Sequence, residues 1–245
     1  MNPEEVLLNQ EPIITLEPED LPDLDQFVIE DGRPVDNVVT EKQQRLLTEP
    51  LYVSWAGPGG GRPWVAFTNV GLFFMEKQSP VAPDMMLGVD VEQGSDWSQK
   101  ANRSYFVWLR GRPPAVAIEI VSDTRGEEET HKMRLYARAG VFYYVIFDPW
   151  NILGQGVLRG YALDFDTYQP TSLDWLPHVG LGLKLWEGEY EGQPGLWLRW
   201  CDKEGKVLPT GREKSDQEHQ RAEQEKQRAE QLRAQLRALG AEPEA

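Results

Sequence analysis

The feature that most constrains the fold is a continuously apolar stretch, Ala115–Val121, that carries a single carboxylate, Glu119. A strand that is apolar on both faces is typical of the centre of an α/β sheet. An ionised carboxylate inside such a strand is costly unless it is paired or bound to a metal ion. Glu119 therefore predicts a metal site or a buried ion pair, unless the strand turns outward there and leaves the side chain in water.

The segments on either side of this stretch predict a strand, helix, strand unit. Residues 127–139 carry apolar side chains at helical spacing and are followed by Gly140, a residue that commonly ends helices. Val141–Phe147 is a second apolar strand, and Asp148-Pro149 stops it. This order is typical of a parallel crossover.

The rest of the central region predicts one more helix and several strands. The helix is expected from Thr40, where Thr40 to Gln43 resembles a capping box, to about Pro50. Further strands are predicted over Leu51–Trp55, Trp64–Phe67, Gly71–Met75, Pro83–Val89, Tyr161–Tyr168, Leu181–Tyr190 and Leu196–Cys201.

The chain is expected to have three parts: an acidic, proline-rich arm over 1–35, an α/β domain over 36–210 and a charged helical tail over 211–245. The formal net charge of −15 argues against a protein that coats nucleic acid by charge alone. Ten of the 40 acidic residues, and no basic one, lie within residues 1–31, so much of the acidity belongs to the arm.

The tail has a short heptad pattern. Ala222, Ala229 and Leu236 occupy position a, and Leu232 and Leu239 occupy position d. The pattern predicts a coiled-coil helix that makes the protein a homodimer or a larger homo-oligomer. The alternative is a solvated, charged helix without a partner.

The sequence contains no apolar run of the roughly 18 to 20 residues that span a bilayer. Its first residues are acidic, whereas a signal peptide starts with basic ones. We therefore expect a cytoplasmic protein without a membrane partner.

Two further residues could join Glu119 in a functional site. Asp84 begins a strand after Pro83 and could lie beside Glu119 at a shared end of the sheet, although an Asp after Pro is often only a turn residue. Two carboxylates there would suit Mg²⁺ or Mn²⁺. Lys132 lies early in the helix that follows the Glu119 strand and could reach back over the strand end, although a helical Lys is commonly a solvated surface residue.

The sequence resembles the Uma-two family of restriction-endonuclease-like proteins, within the PD-(D/E)XK nuclease superfamily. The resemblance runs from about Leu21 to Pro209 and is carried by short motifs in a specific order: Leu21-Pro22-Asp23, Pro34-Val35-Asp36-Asn37, Ala82-Pro83-Asp84, Ser104-Tyr105 with Trp108, Pro113-Pro114, Ile118-Glu119-Ile120-Val121-Ser122, Lys132 with Tyr136, Gly140-Val141, Tyr143-Tyr144-Val145 and Asp148-Pro149.

The resemblance implies a restriction-endonuclease-like mixed β-sheet core flanked by helices. It also implies a metal ion held by Asp84, Glu119 and the Ile120 carbonyl. The superfamily lysine usually stands two residues after the Glu, where this chain has Val121, so Lys132 is expected to replace it.

Three further residues are expected near the site. Glu41 is the candidate for an acidic residue that superfamily members often carry on the first core helix. Ser122 and Arg125 are candidates for contact with phosphate.

The leading hypothesis is a Mg²⁺-dependent or Mn²⁺-dependent endonuclease that cuts DNA. The alternative is a catalytically inactive protein that keeps the nuclease fold as a binding or scaffold module and assembles through its coiled-coil tail. The three site residues favour the enzyme, and the net negative charge favours the scaffold.

Overall fold

The structure is a computed structural model that describes residue 23 and residues 37–122 and 130–238. The chain divides into two units, Met1–Leu208 and Pro209–Ala245. The predicted acidic arm lies, apart from Asp23, outside the described residues. The elements, in chain order, are α1 (Val38–Ser54), β1 (Trp64–Phe67), β2 (Leu72–Phe73), β3 (Met85–Val89), a 3₁₀ turn (Lys100–Asn102), β4 (Tyr105–Phe106), α2 (Val107–Arg110), β5 (Val116–Ile120), α3 (His131–Ala139), β6 (Tyr143–Phe147), β7 (Leu158–Asp164), β8 (Thr167–Pro170), β9 (Gly182–Tyr190), β10 (Gln193–Cys201) and α4 (Gly211–Ala238).

The first unit is built on a six-stranded sheet with the order β1-β3-β5-β6-β7-β8. β5 and β6 are parallel neighbours, and the remaining pairs of this sheet are antiparallel. Every residue of β3, β5 and β6 is buried, as expected for strands covered on both faces. The predicted mixed α/β fold with a central sheet and a C-terminal helix is therefore confirmed.

The two faces of the sheet pack against different elements, because successive side chains of a strand point to opposite faces. Met85, Ile118 and Val145 belong to a core that also contains Leu47 of α1 and Trp200 of β10. The alternate residues Met86, Ala117 and Tyr144 belong to a second core, together with Leu135 and Tyr136 of α3. By this alternation Glu119 lies on the α3 face.

α1 differs from the prediction at both ends. It begins at Val38, because the Asn37 side chain accepts hydrogen bonds from the Val39 and Thr40 amides, both at 3.0 Å. It continues through Pro50 to Ser54, so the predicted strand over Leu51–Trp55 is wrong. Leu47 and Leu51, four residues apart, are both 0% exposed in the core. Their burial on one helix face outweighs the hydrogen bond lost at Pro50.

β9 and β10 form the predicted antiparallel hairpin, and α1 is tied to it. The turn residues Glu191 and Gly192 both have positive φ, 48° and 76°, as a two-residue type I′ turn requires. The Gln43 side-chain amide donates to the Leu198 carbonyl at 2.8 Å and accepts from the Leu198 amide at 3.0 Å. Trp200 Nε1 donates to the Leu47 carbonyl at 2.8 Å. These bonds hold α1 in position beneath the sheet.

The second unit contains α4, a helix of 28 residues. Its residues from Lys214 to Leu236 are exposed, including Leu232 at 51% and Leu236 at 39%. Leu239, the last residue of the predicted seam, lies outside the described residues.

Within 37–122 and 130–238, no helix is both long and apolar enough to cross a bilayer.

Candidate active site

Glu119 is the next-to-last residue of β5 and is only 1% exposed. Two donors from α3 satisfy its carboxylate: Lys132 Nζ lies 2.8 Å from Oε2, and the Tyr136 hydroxyl lies 2.5 Å from Oε1. Of the interpretations open from the sequence, the outward-turned and solvated carboxylate is wrong. The charge is compensated within the chain by an ion pair and a neutral hydrogen bond.

The two donors reach Glu119 because of their spacing on α3. Lys132 and Tyr136 are four residues apart and therefore lie on one face of the helix, towards the sheet. Tyr136 is completely buried. Burial is the largest cause that raises the pKa of Tyr136 well above its ordinary value of 10.0, and the negative charge of Glu119 is the next. The phenol therefore stays protonated and acts as a donor to the carboxylate.

Asp84 lies at the same end of the sheet, immediately before β3, and is 8% exposed. Its Oδ2 accepts a hydrogen bond of 2.6 Å from the Ile120 amide, and its Oδ1 accepts one of 3.2 Å from Gln44 Nε2. Met85, the next residue, pairs with Ile118, so Asp84 and its bond to the Ile120 amide lie beside the end of β5 that carries Glu119.

α1 contributes a residue that the sequence analysis did not identify. Gln44 is 5% exposed, and besides its bond to Asp84 its Oε1 accepts from Asn69 Nδ2 at 3.2 Å. Gln44 therefore orients the Asp84 carboxylate from the α1 side of the sheet. The signal available in the sequence was helical spacing: Leu47 and Leu51 follow Gln43-Gln44 by three or four and by seven or eight residues, which puts the glutamines on the apolar face of the helix.

Glu41 was expected near the site as the acidic residue of the first core helix. Glu41 is exposed and pairs with Arg45 at 2.6 Å, one turn along α1. It lies on the outer side of the helix, where water solvates the carboxylate and Arg45 also binds Glu191 of the hairpin turn at 2.7 Å. On α1, the residue that contacts Asp84 is Gln44, not Glu41.

The donor set around Asp84 and Glu119 suits a hard divalent cation. Among the described residues, no group of three or more His, Cys, Asp or Glu side chains gathers at metal-binding distance. Mg²⁺ is commonly bound by only one or two carboxylates and completes its shell with water and phosphate oxygens, so two carboxylates are sufficient. In a strand the N–H and C=O of one residue point to the same side. Because the Ile120 N–H meets Asp84, the Ile120 carbonyl is directed to that side as well.

The expected positions that remain are Val121, Ser122 and Arg125. Val121, where the superfamily lysine usually stands, is 0% exposed, and its amide donates to Phe147 at 2.8 Å, so it is a core residue. Lys132 instead brings its amine to Glu119 from the next helix. Ser122 is exposed at the end of β5. Arg125 lies outside the described residues.

The chain is similar to proteins of one known family. A family model named Uma2 and described as "Putative restriction endonuclease" matches residues 26–183. The chain is also similar to the crystal structure of a protein described as a putative nuclease belonging to DUF820 from Anabaena variabilis, with 14% sequence identity and a TM-score of 0.42, over 59% of this chain and 73% of that chain. No curated protein matches the chain. Because the family match extends over more than half of the sequence, this protein belongs to the Uma2 family, whose description is "Putative restriction endonuclease".

Proposed function

We propose that this protein is a Mg²⁺-dependent or Mn²⁺-dependent endonuclease that hydrolyses phosphodiester bonds of DNA. The observation that carries the proposal is the approach of three charged side chains, Asp84, Glu119 and Lys132, at one end of the sheet. They come from three separate segments of a chain that belongs to a nuclease family. Such convergence of two carboxylates and an amine is a recurrent arrangement for metal-assisted hydrolysis.

Each residue has a distinct role in this proposal. Asp84, Glu119 and the Ile120 carbonyl would hold the metal ion. When bound, the ion would lower the pKa of a coordinated water and offset the charge that develops on the phosphate. Lys132 orients the attacking water or a phosphate oxygen through its amine. Ser122, exposed beside the carboxylates, donates a hydrogen bond to the substrate phosphate.

Two buried residues act as positioning residues. The Tyr136 hydroxyl fixes one oxygen of Glu119, and its raised pKa keeps the proton on the phenol at neutral pH. Gln44 fixes one oxygen of Asp84. The second oxygen of Glu119 binds the Lys132 amine, and the second oxygen of Asp84 binds the Ile120 amide. A group positioned through such second contacts loses less conformational freedom when it binds an ion.

The metal dependence is tested directly by plasmid cleavage. We expect conversion of supercoiled DNA to open-circular and linear forms with Mg²⁺ or Mn²⁺, and none after chelation. Ca²⁺ should raise the unfolding temperature, because it binds the same oxygens, without allowing cleavage. Gel electrophoresis and thermal unfolding provide the two measurements. Undiminished cleavage in a chelated sample would contradict the proposal.

A second candidate function is a scaffold that keeps the nuclease fold without catalysis. The observation in its favour is that both Glu119 oxygens already have donors from α3, so the charge of this carboxylate is balanced by the chain itself. In that case neither Mg²⁺ nor Mn²⁺ should shift the unfolding temperature, and no cleavage should occur with any divalent ion. The metal titration therefore separates the two functions.

The proposal also includes self-association of the protein through α4. Leu232 and Leu236 are exposed on one stripe of the helix, and burying them requires a partner helix, for which a second copy is proposed. We expect full-length protein to have a higher mass per particle at micromolar concentration than protein truncated after Gly211. Full-length protein with Leu232→Gln and Leu236→Gln should match the truncated form. Light scattering that finds one chain per particle in all three samples would exclude a tail-driven oligomer.

A further inference from the structure

A cavity of about 180 Å³ opens beside the end of β6. It is lined by Val39 of α1, by Pro149 and Trp150, and by residues 193–197 of β10. Trp150 is 53% exposed, whereas Trp197 in the same lining is only 2% exposed, so Trp150 is the accessible aromatic ring. Pockets for drug-sized ligands are about 300 to 1,000 Å³, so this smaller cavity fits a single planar ring system.

The cavity lies at the same end of the sheet as the carboxylates. Phe147 of β6 pairs with Ile120, the residue after Glu119, and Trp150 follows three residues later. On the other wall, Val39 precedes Gln44 by five residues of α1, which corresponds to about 7.5 Å along the helix axis. Gln44 in turn contacts Asp84. Two separate elements therefore place the cavity at the same end of the sheet as the proposed catalytic residues, which do not line it.

The turn that presents Trp150 is held in a defined conformation. Asp148 is 0% exposed, and its carboxylate accepts hydrogen bonds of 2.8 Å from both the Ile152 and the Leu153 amides. The Asn151 amide donates to the Asp148 carbonyl at 3.0 Å, and Asn151 has a φ of 50°. A half-exposed tryptophan on a turn fixed by a buried carboxylate is a preorganised contact surface, which reduces the entropy lost on binding.

We propose that this cavity receives an unstacked nucleobase next to the cleaved phosphate, with the base lying on the Trp150 ring. The preferred substrate is then single-stranded DNA, or an unpaired stretch within a duplex, because a paired base is not available to such a cavity. This inference rests on the proposed nuclease function. The Gln193 side-chain amide, at the cavity wall, supplies a donor and an acceptor for the edge of the base.

The charge of the protein favours the same conclusion. Binding to duplex DNA through phosphates alone requires clustered cations, and even after residue 31 the chain carries more acidic residues, 30, than basic ones, 25. Base stacking on an aromatic side chain supplies affinity without neutralising phosphates. A stacking site beside the carboxylates therefore gives an acidic protein a means of holding the strand that it cuts.

The test measures binding of a fluorescently labelled single-stranded oligonucleotide and of its blunt duplex, by anisotropy, in Ca²⁺ and at fixed salt. Trp150→Ala should weaken single-strand binding roughly 5- to 150-fold, the effect of losing one stacked base. Trp150→Phe should retain most of the affinity, because a ring remains. The matched control is Trp97→Ala, since Trp97 is 60% exposed and follows the opposite end of β3.

Several outcomes would overturn the inference. The inference fails if the parent does not bind the single strand, or if Trp150→Ala binds it as tightly as the parent. It also fails if Trp150→Ala and Trp97→Ala lose the same affinity, or if Trp150→Ala loses as much affinity for the blunt duplex as for the single strand. Thermal unfolding of each variant checks that the fold persists. Loss of binding in Trp150→Ala without metal-dependent cleavage by the parent would instead refute the nuclease function and leave the base site standing. Metal-dependent cleavage with no role for Trp150 would refute only the base site.

Discussion

Replacing Glu119 by Gln is expected to lower the rate of plasmid cleavage by at least about a hundredfold, the scale seen when a group that stabilises transition-state charge is lost. The amide has the same shape as the carboxylate and can still accept from the Tyr136 hydroxyl. It lacks the negative charge that pairs with Lys132 and that we propose holds a divalent ion. The measurement is the initial rate of DNA cleavage in Mn²⁺ and in Mg²⁺ with enzyme in excess.

Glu187→Gln is the matched control for this substitution. Glu187 lies on β9, is exposed to solvent, and is changed by the same loss of one charge. It should cut DNA at the parental rate. A Glu119→Gln variant that cleaves as fast as the parent would remove Glu119 from the mechanism, whatever the metal dependence of the parent protein.

The second large effect is expected from Lys132→Met in metal-free protein. This change leaves the buried Glu119 carboxylate without its charged partner, and breaking a buried ion pair costs about 3 to 5 kcal/mol. Because the Lys132 side chain is 31% exposed, we expect a loss near the lower value, about 3 kcal/mol. In a protein of this size that corresponds to a fall in Tm of roughly 6 to 12 °C. Cleavage should also slow, since the amine that we propose orients the water is gone.

Two comparisons show whether the loss of stability comes from the unpaired carboxylate. Adding Mg²⁺ or Mn²⁺ should restore much of the Tm of Lys132→Met, because the ion replaces the missing positive charge. The double variant Glu119→Gln with Lys132→Met should be more stable than Lys132→Met alone, because no uncompensated charge is left. Lys206→Met, at an exposed position, is the control and should unfold like the parent. A double variant less stable than Lys132→Met would contradict this account.

The sequence predicted the secondary structure of some segments correctly and of another wrongly, for a physical reason. The β5, α3 and β6 unit and the β9 and β10 hairpin were predicted because their patterns are local: continuous apolar runs, helical spacing and turn residues. The segment from Leu51 to Trp55 was predicted as a strand from its residue types, yet it is the last part of α1. Burial of Leu51 against the sheet decided its conformation, and no local pattern contains that information.

By itself, the sequence determined that a carboxylate occupies a buried strand and that some compensation must accompany it, because the cost of burying Glu119 follows from its neighbours alone. Only the tertiary structure decided which groups provide that compensation. Lys132 and Tyr136 meet Glu119 because α3 packs back on the sheet, and Gln44 rather than Glu41 meets Asp84 because one face of α1 is turned towards the strands. These contacts join residues that are distant along the chain, and their distances are set by the packing of helices against the sheet.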